Sequence, residues 1–144
     1  MKTTRDPNSR NITLDISPGR GRGVFARRSF EKGAIIERAP VIVVPEKQWP
    51  KVATSLLSNY AFDWGEKDEH AAIALGFISI YNHSFTPNAQ LEQMLGDMMM
   101  ELVALKPIQP GAQSTVNYNG DPQNGKPGWF RVAREAPVRK GRAR

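Results

Sequence analysis

A change from apolar to polar residues near the middle of the chain marks the first side chains that could do chemistry. The apolar run 71–77 leads into Tyr81-Asn82-His83-Ser84, and Pro87-Asn88 follows as a turn. His83 and Ser84 could act as base and nucleophile, but no third orienting group accompanies them, so nucleophilic catalysis ranks last. Taken alone, the stretch is more typical of a buried segment that ends in a polar turn.

A second candidate is the alternation of glycine and arginine over residues 19–23. Glycine allows a positive φ and lets the backbone approach a ligand closely. A dinucleotide fingerprint needs G-x-G-x-x-G opening a helix, whereas here the spacing differs and another turn, Glu31-Lys32-Gly33, follows within about ten residues. The pattern therefore argues against a Rossmann site. Arg20 and Arg22 could contact phosphates, but a turn with solvated arginines needs no ligand.

Charge is distributed unevenly along the 144 residues. Lys and Arg outnumber Asp and Glu by seven to two over residues 1–28 and by seven to one over 126–144, whereas 29–125 carry six against eleven. Basic ends alone would suggest a nucleic-acid binder, but the acidic centre between them suits a cationic peptide. We expect the tail to be solvated. The acidic centre comprises Asp63, Glu66, Asp68, Glu69, Glu92, Asp97 and Glu101, and its first four members form a cluster expected to be exposed.

Length and residue types limit the class further. A chain of this length fits one domain with a real core. The polar N-terminus is no signal peptide, and no apolar run is as long as a membrane span. Because cysteine is absent and only His70 and His83 are present, we expect no metal site.

Short runs rich in β-branched and aromatic residues recur along the chain, which predicts a mostly-β domain with one or two short helices. The predicted strands include 12–16, two short runs at 34–37 and 40–45, 59–65, and a hairpin around Leu95-Gly96. Residues 46–57 favour a helix. The run 71–81 is ambiguous by periodicity, and we favour one or two helical turns there.

Three stretches, in this order and spacing, resemble the motifs of SET-domain protein-lysine methyltransferases. They are Gly19-Arg20-Gly21-Arg22-Gly23-Val24-Phe25-Ala26, then Leu75-Gly76-Phe77 leading to Asn82-His83-Ser84 and Pro87-Asn88, and finally Thr115-Val116-Asn117-Tyr118-Asn119-Gly120. The match runs from about residue 12 to residue 130 and is most similar to the small stand-alone SET proteins of viruses and bacteria. It implies the SET (β-clip) fold of small curved sheets, with a C-terminal pseudoknot past the Asn-His loop. We expect a leader (1–11), a SET domain with a short cofactor-covering segment (12–132) and a basic tail (133–144).

The resemblance also implies roles for individual residues. S-adenosylmethionine would be the cofactor and Tyr118 the catalytic residue, while Tyr60 resembles a tyrosine that lines the channel for the substrate lysine. The residues implied to bind the cofactor are Arg20, Gly21, Arg22, Gly23, Asn82, His83, Trp129 and Phe130.

The chain departs from the family pattern just before its last motif. Gly111-Ala112-Gln113-Ser114 stands where the family usually has Gly-Glu-Glu-Leu or Gly-Glu-Glu-Ile. Ser114 therefore replaces an apolar core residue, and its hydroxyl would need a partner. Gly120 stands where some members carry another tyrosine, which leaves the number of methyl groups added open.

The resulting hypothesis is methyl transfer from S-adenosylmethionine to a lysine of a basic protein, such as a histone, a histone-like protein or a ribosomal protein. One alternative is a non-catalytic SET-like module that binds a basic peptide; Asn82, His83 and Tyr118 argue against it. Another is a nucleic-acid-binding β-domain, which predicts steep salt dependence. We also expect a homodimer, no membrane contact, and action in the cytoplasm or on chromatin.

Overall fold

The computed structural model describes residues 11–120 and Gln123, which form two curled β-sheets. The strands of this region are β1 (Ile12–Ser17), β2 (Gly21–Ala26), β3 (Ile35–Val44), β4 (Ala61–Trp64), β5 (His70–Ala74), β6 (Asn82–His83), β7 (Ala89–Met94), β8 (Met99–Ala104) and β9 (Gln113–Val116). The helical pieces are α1 (Trp49–Ala53) and the 3-10 turns Glu46–Gln48, Leu56–Asn59, Ile78–Ile80 and Leu95–Asp97. The predicted mostly-β class, the helical 46–57 region and the hairpin around Leu95-Gly96 are confirmed. Trp129, Phe130 and the predicted tail 133–144 lie outside the described residues.

The four-stranded sheet has the order β1-β2-β9-β6. Its β1–β2 hairpin closes where the Arg20 N–H donates to the Ser17 carbonyl at 2.9 Å. Strand β9 runs antiparallel to β2 and parallel to β6, with Thr115 opposite Asn82. The parallel pair sets a late strand against the Asn-His segment, as the implied pseudoknot requires.

The five-stranded sheet has the order β4-β5-β3-β8-β7, and its central strand β3 differs from the prediction. Two runs separated by a proline were expected, but Ile35–Val44 is one strand. Pro40 lies where the pairing of β3 passes from β8 to β5. A proline has no N–H to donate, but Pro40 still joins the ladder through its carbonyl, which accepts from the Leu75 N–H at 3.0 Å.

The expected helical turns over 71–81 are wrong for the first half of that run. Residues His70–Ala74 form β5, which pairs with β3 on one side and β4 on the other. Ala71 and Ala72 are almost fully buried. Small side chains covered on both faces read as a continuous apolar run, which periodicity cannot distinguish from a buried helix. The helical turn begins only at Ile78.

The core is one cluster of buried side chains drawn from both sheets. Ile12 and Val24 come from the four-stranded sheet, and Ile36, Phe62 and Leu102 come from the five-stranded sheet. Each such side chain contributes about 1.5–3 kcal/mol when fully buried. Within residues 11–120 no helix is long and apolar enough to cross a membrane.

Ser114 lies in this core on β9, opposite Val24, and is fully buried. The sequence predicted that its hydroxyl would need a partner, but in the described part of the chain the hydroxyl finds no hydrogen-bond partner. Ser114→Ala should therefore raise the free energy of unfolding by about 1 kcal/mol. Thermal melting should show a rise of a few degrees. In the matched variant Ser79→Ala the hydroxyl that is lost donates to the Tyr60 carbonyl at 3.1 Å, so the melting temperature should fall. A lower melting temperature for Ser114→Ala would contradict the assignment.

Candidate functional site

The turn between β1 and β2 is held against β6 by an arginine. The Arg20 guanidinium donates to the His83 carbonyl at 2.8 Å, so Arg20 is not simply solvated. Gly19 and Gly21 have φ values of 76° and 77°, a conformation that side chains disfavour. A Cβ at either glycine would meet no atom within 4 Å. The backbone of the turn therefore borders open space and can be approached by a ligand.

Asn82 joins three segments through its amide. Its Nδ2 donates to the Arg22 carbonyl at 2.9 Å and to the Gln113 Oε1 at 2.7 Å. Gly23 makes this possible, because a Cβ there would collide with the Gln113 side chain and press on Asn82 Nδ2. Gln113 also donates to Ser17 Oγ at 3.1 Å. The glutamine that departs from the family pattern thus completes a hydrogen-bonded link between β1, β6 and β9.

A second asparagine, to which the sequence gave a place in a turn and in the second motif but no role, fixes the start of β9. Asn88 donates from Nδ2 to the Gln113 carbonyl and accepts from the Thr115 N–H, both at 2.8 Å. This two-point contact substitutes for a neighbouring strand along that edge. Its signal in the sequence is the asparagine directly after Pro87, but its partner could not be read from spacing.

His83 is buried and acts on the backbone of the third motif. Its Nδ1 accepts from the Tyr118 N–H at 3.0 Å, and its ring lies 5.1 Å from that of Tyr118. Burial, and then the positive charge of Arg20, lower the pKa of His83 to about 4. The imidazole is therefore neutral at physiological pH and can accept this hydrogen bond.

The low pKa of His83 makes a prediction about acid stability. In the unfolded chain the histidine pKa is near 6.5, so as pH falls the unfolded state binds a proton before the folded state does. The contribution of neutral His83 to the free energy of unfolding is therefore complete above about pH 6.5 and is lost as pH falls to about 4. The loss should reach about 3 kcal/mol, since each unit of pKa shift corresponds to about 1.4 kcal/mol. Urea unfolding between pH 7 and pH 4 measures it. His83→Asn keeps an acceptor but does not titrate, so its stability should depend less on pH; equal slopes would contradict this account.

Tyr118 follows β9 and is largely buried. Its hydroxyl donates to the Tyr81 carbonyl at 2.9 Å. Burial raises the pKa of Tyr118 well above its usual value, and the nearby Tyr60 phenol adds to the rise. Tyr118 is therefore a hydroxyl donor, and a phenolate is disfavoured. Tyr60 itself is half-buried, and its carbonyl accepts from Ser79 Oγ, which ties it to the turn before Asn82.

The structure thus brings together Arg20, Gly23, Asn82, His83 and Tyr118, which we call the site cluster. Gly21 and Arg22 lie beside it on β2. The roles assigned to these residues stay predictions, as does that of Tyr60. The described residues contain no group of three or more His, Asp or Glu side chains that could hold a metal ion.

The acidic centre is less exposed than expected. Asp63 was predicted to be exposed, but it is buried on β4, where a short strand is covered on both faces. Glu101 is also buried and forms an ion pair with Arg38. The exposed members are Glu66, Asp68, Glu69, Glu92 and Asp97.

Comparison with known proteins gives consistent results. The family described as SET domain matches residues 21–119. A histone-lysine N-methyltransferase of Schizosaccharomyces pombe, specific for H3 lysine-37, is 25% identical over 100 residues, which are 69% of this chain and 67% of that protein. A crystal structure of a Plasmodium falciparum protein, provisionally assigned as a histone methyltransferase, has a TM-score of 0.63 at 26% identity, covering 78% of this chain and 96% of that chain. The structure of ctPRC2, in an autoinhibited conformation bound to S-adenosylmethionine, has a TM-score of 0.64 at 17% identity, covering 78% of this chain and 16% of that chain.

Proposed function

We propose that this chain, which belongs to the SET-domain family of protein-lysine methyltransferases, methylates lysines in basic protein segments. Enzymes of this family use S-adenosylmethionine. The substrates that we propose are histones, histone-like proteins or ribosomal proteins. The observation that carries the proposal is the site cluster: three motifs far apart in sequence meet through hydrogen bonds made by Asn82, His83 and Arg20.

The residues present fit the cofactor. Open space beside Gly19 and Gly21 leaves room for a ligand at the turn. The Arg20 guanidinium suits a carboxylate, and backbone carbonyls of β2 and β6 suit an ammonium group. S-adenosylmethionine, when bound, supplies a methyl group already activated by its sulfonium.

The chain's own residues have little further chemistry to supply beyond alignment. Tyr118 would orient the substrate amine through its hydroxyl and help to exclude water. The aromatic surface of Tyr60 and Tyr118 would favour the neutral amine, because removing water disfavours the charged ammonium. The ammonium proton would leave to water, so no strong general base is required.

A cavity beside the end of β9 supports a basic substrate. Its lining includes the apolar side chains of Phe62, Leu91 and Met100. It also includes the carboxylates of Asp68 and Glu92. Apolar surface suits the aliphatic stem of lysine or arginine, while carboxylates suit the charged head. The cavity also reaches Asn117 and Gly120, next to Tyr118 in the chain. We propose that residues flanking the target lysine are selected here.

Neutralising two cavity charges tests this selection. Asp68→Asn with Glu92→Gln should lower kcat/KM on a basic peptide by about threefold at low salt, because steering charges raise encounter rates. The difference should vanish at high salt, where the screening length is short. Asparagine also tolerates the φ of 53° at position 68. The matched control Glu31→Gln with Asp97→Asn changes the net charge equally at exposed positions that do not line the cavity. If both double variants changed kcat/KM equally, the cavity would have no specific role in substrate selection.

The function itself is tested by calorimetry with S-adenosylmethionine, followed by mass spectrometry of a mixture of basic proteins incubated with enzyme and cofactor. Methylated lysines support the proposal. Peptide binding without transfer would favour the non-catalytic module, and DNA binding that falls steeply with salt would favour the nucleic-acid binder. Contact between the basic tail and nucleic acid is not expected, and action on chromatin remains a proposal. So does the homodimer, which light scattering at micromolar concentrations would test.

A further inference from the structure

A buried carboxylate that the proposed chemistry does not use contacts Tyr81, the residue whose carbonyl accepts from the Tyr118 hydroxyl. Glu37 is on β3 and is only 1% exposed. Its Oε1 accepts from the Tyr81 hydroxyl at 2.9 Å, and its Oε2 accepts from the Phe77 N–H at 2.8 Å. Gly76 leaves room for it, since a Cβ there would collide with Oε2.

Tyr81 connects this carboxylate to Tyr118. Its side chain is fully buried, and its carbonyl accepts the hydrogen bond from the Tyr118 hydroxyl at 2.9 Å. Burial, and then the charge of Glu37, raise the pKa of Tyr81 well above its usual value, so its phenol remains a donor. Tyr81 is thus held in place through its side-chain hydroxyl, and its backbone carbonyl accepts the hydrogen bond from the Tyr118 hydroxyl.

The arrangement is costly for a purely structural role. A buried carboxylate needs strong compensating hydrogen bonds, and an apolar pair of similar size usually packs as well without that cost. Phenylalanine at position 81 would fill the same volume. The hydrogen bond between Glu37 and Tyr81 instead fixes the position of the Tyr81 backbone. The direction of the Tyr118 hydroxyl depends on that position.

We propose that Glu37 is a positioning residue for methyl transfer: through the Tyr81 hydroxyl it fixes the carbonyl that orients the hydroxyl of Tyr118. The inference rests on the proposed function, since it assigns Tyr118 to the reaction. It deepens that function by adding Glu37 and Tyr81, which the sequence motifs did not single out for any role.

The test uses the full chain, S-adenosylmethionine and a basic protein shown to be methylated. Tyr81→Phe removes one oxygen atom and should lower kcat roughly 10- to 100-fold, since small misplacements of aligning groups have effects of that size. Cofactor affinity and the KM for substrate should change little. Glu37→Gln should act in the same direction; should it fail to fold, Tyr81→Phe decides alone.

A double-mutant cycle separates positioning from general loss of structure. If Tyr81 acts through the Tyr118 hydroxyl, Tyr81→Phe should lower kcat no further in a Tyr118→Phe background. Phe30→Leu, a core change at an isolated bridge to Ile108, controls for stability and should leave kcat unchanged where the protein is folded. An unchanged kcat in Tyr81→Phe, or effects that multiply in the double variant, would overturn the inference alone. A wild-type chain without transfer would overturn the proposed function and this inference with it.

Discussion

Replacing Tyr118 by phenylalanine is expected to lower kcat for methyl transfer by about 100-fold while leaving the affinity for S-adenosylmethionine nearly unchanged. The substitution removes only the hydroxyl, which donates to the Tyr81 carbonyl at 2.9 Å. The ring contact with His83 and the backbone hydrogen bond to its Nδ1 remain. Single-turnover kinetics measures the transfer step, and calorimetry measures the cofactor.

Tyr60→Phe is the matched control for this prediction. It also removes one phenol oxygen from a half-buried tyrosine near the site, and its effect should be smaller because its implied role is to line the channel. An unchanged kcat in Tyr118→Phe would show that the Tyr118 hydroxyl has no role in methyl transfer. A large fall in cofactor affinity instead would assign it to binding.

Asn82→Ala should have the second large effect, a loss of cofactor affinity of about tenfold or more. The amide donates to the Arg22 carbonyl and to Gln113 Oε1. In the variant both oxygens stay partly buried but lose this donor. The family resemblance implies that Asn82 also contacts the charged amine of the cofactor. A hydrogen bond to a charged group is worth about 1.5–3 kcal/mol, and each 1.4 kcal/mol is a factor of ten in affinity. Titration calorimetry on the folded variant gives the number.

Gln93→Ala is the corresponding control. Its amide accepts from the Gly65 N–H and donates to the Asp63 carbonyl, with a longer contact to Asp68 Oδ1 at 3.5 Å. These contacts join β7 to the β4–β5 hairpin and not to β2. It should lower stability without changing cofactor affinity. Equal affinity of Asn82→Ala and the wild type would exclude Asn82 from the cofactor site.

The sequence predicted what depends on local pattern and motif. Alternating residues over 59–65 and the hairpin around Leu95-Gly96 are local, and β4, β7 and β8 confirm them. The sequence also predicted that the Ser114 hydroxyl would need a partner, because the family pattern places an apolar residue there; among the described residues it has none. The family resemblance, and not periodicity, supplied the association of the three motifs.

What the sequence did not reveal depends on contacts between distant residues. Glu37 sits in an apolar run and looks like a solvent-facing charge until Tyr81, 44 positions later, is placed against it. Arg20 reads as a solvated turn residue, although the His83 carbonyl, 63 positions away, holds it. Asp63 looked exposed because the sequence groups it with the acidic residues at 66, 68 and 69, which are exposed, whereas the position of its strand buries it. Propensity and spacing carry no information on such pairs.

The position of β9 between β2 and β6 has a consequence for the order in which the chain folds and becomes active. Strands β7 and β8 are joined by a tight hairpin, but Val24 and Ser114, which pair across β2 and β9, are 90 positions apart. Long-range pairing is slow because a large loop must close first. We therefore expect the β4–β5 and β7–β8 hairpins to form early and β9 to dock late, placing Tyr118 at that moment. On a ribosome, the domain would remain unable to bind cofactor until its third motif had left the exit tunnel.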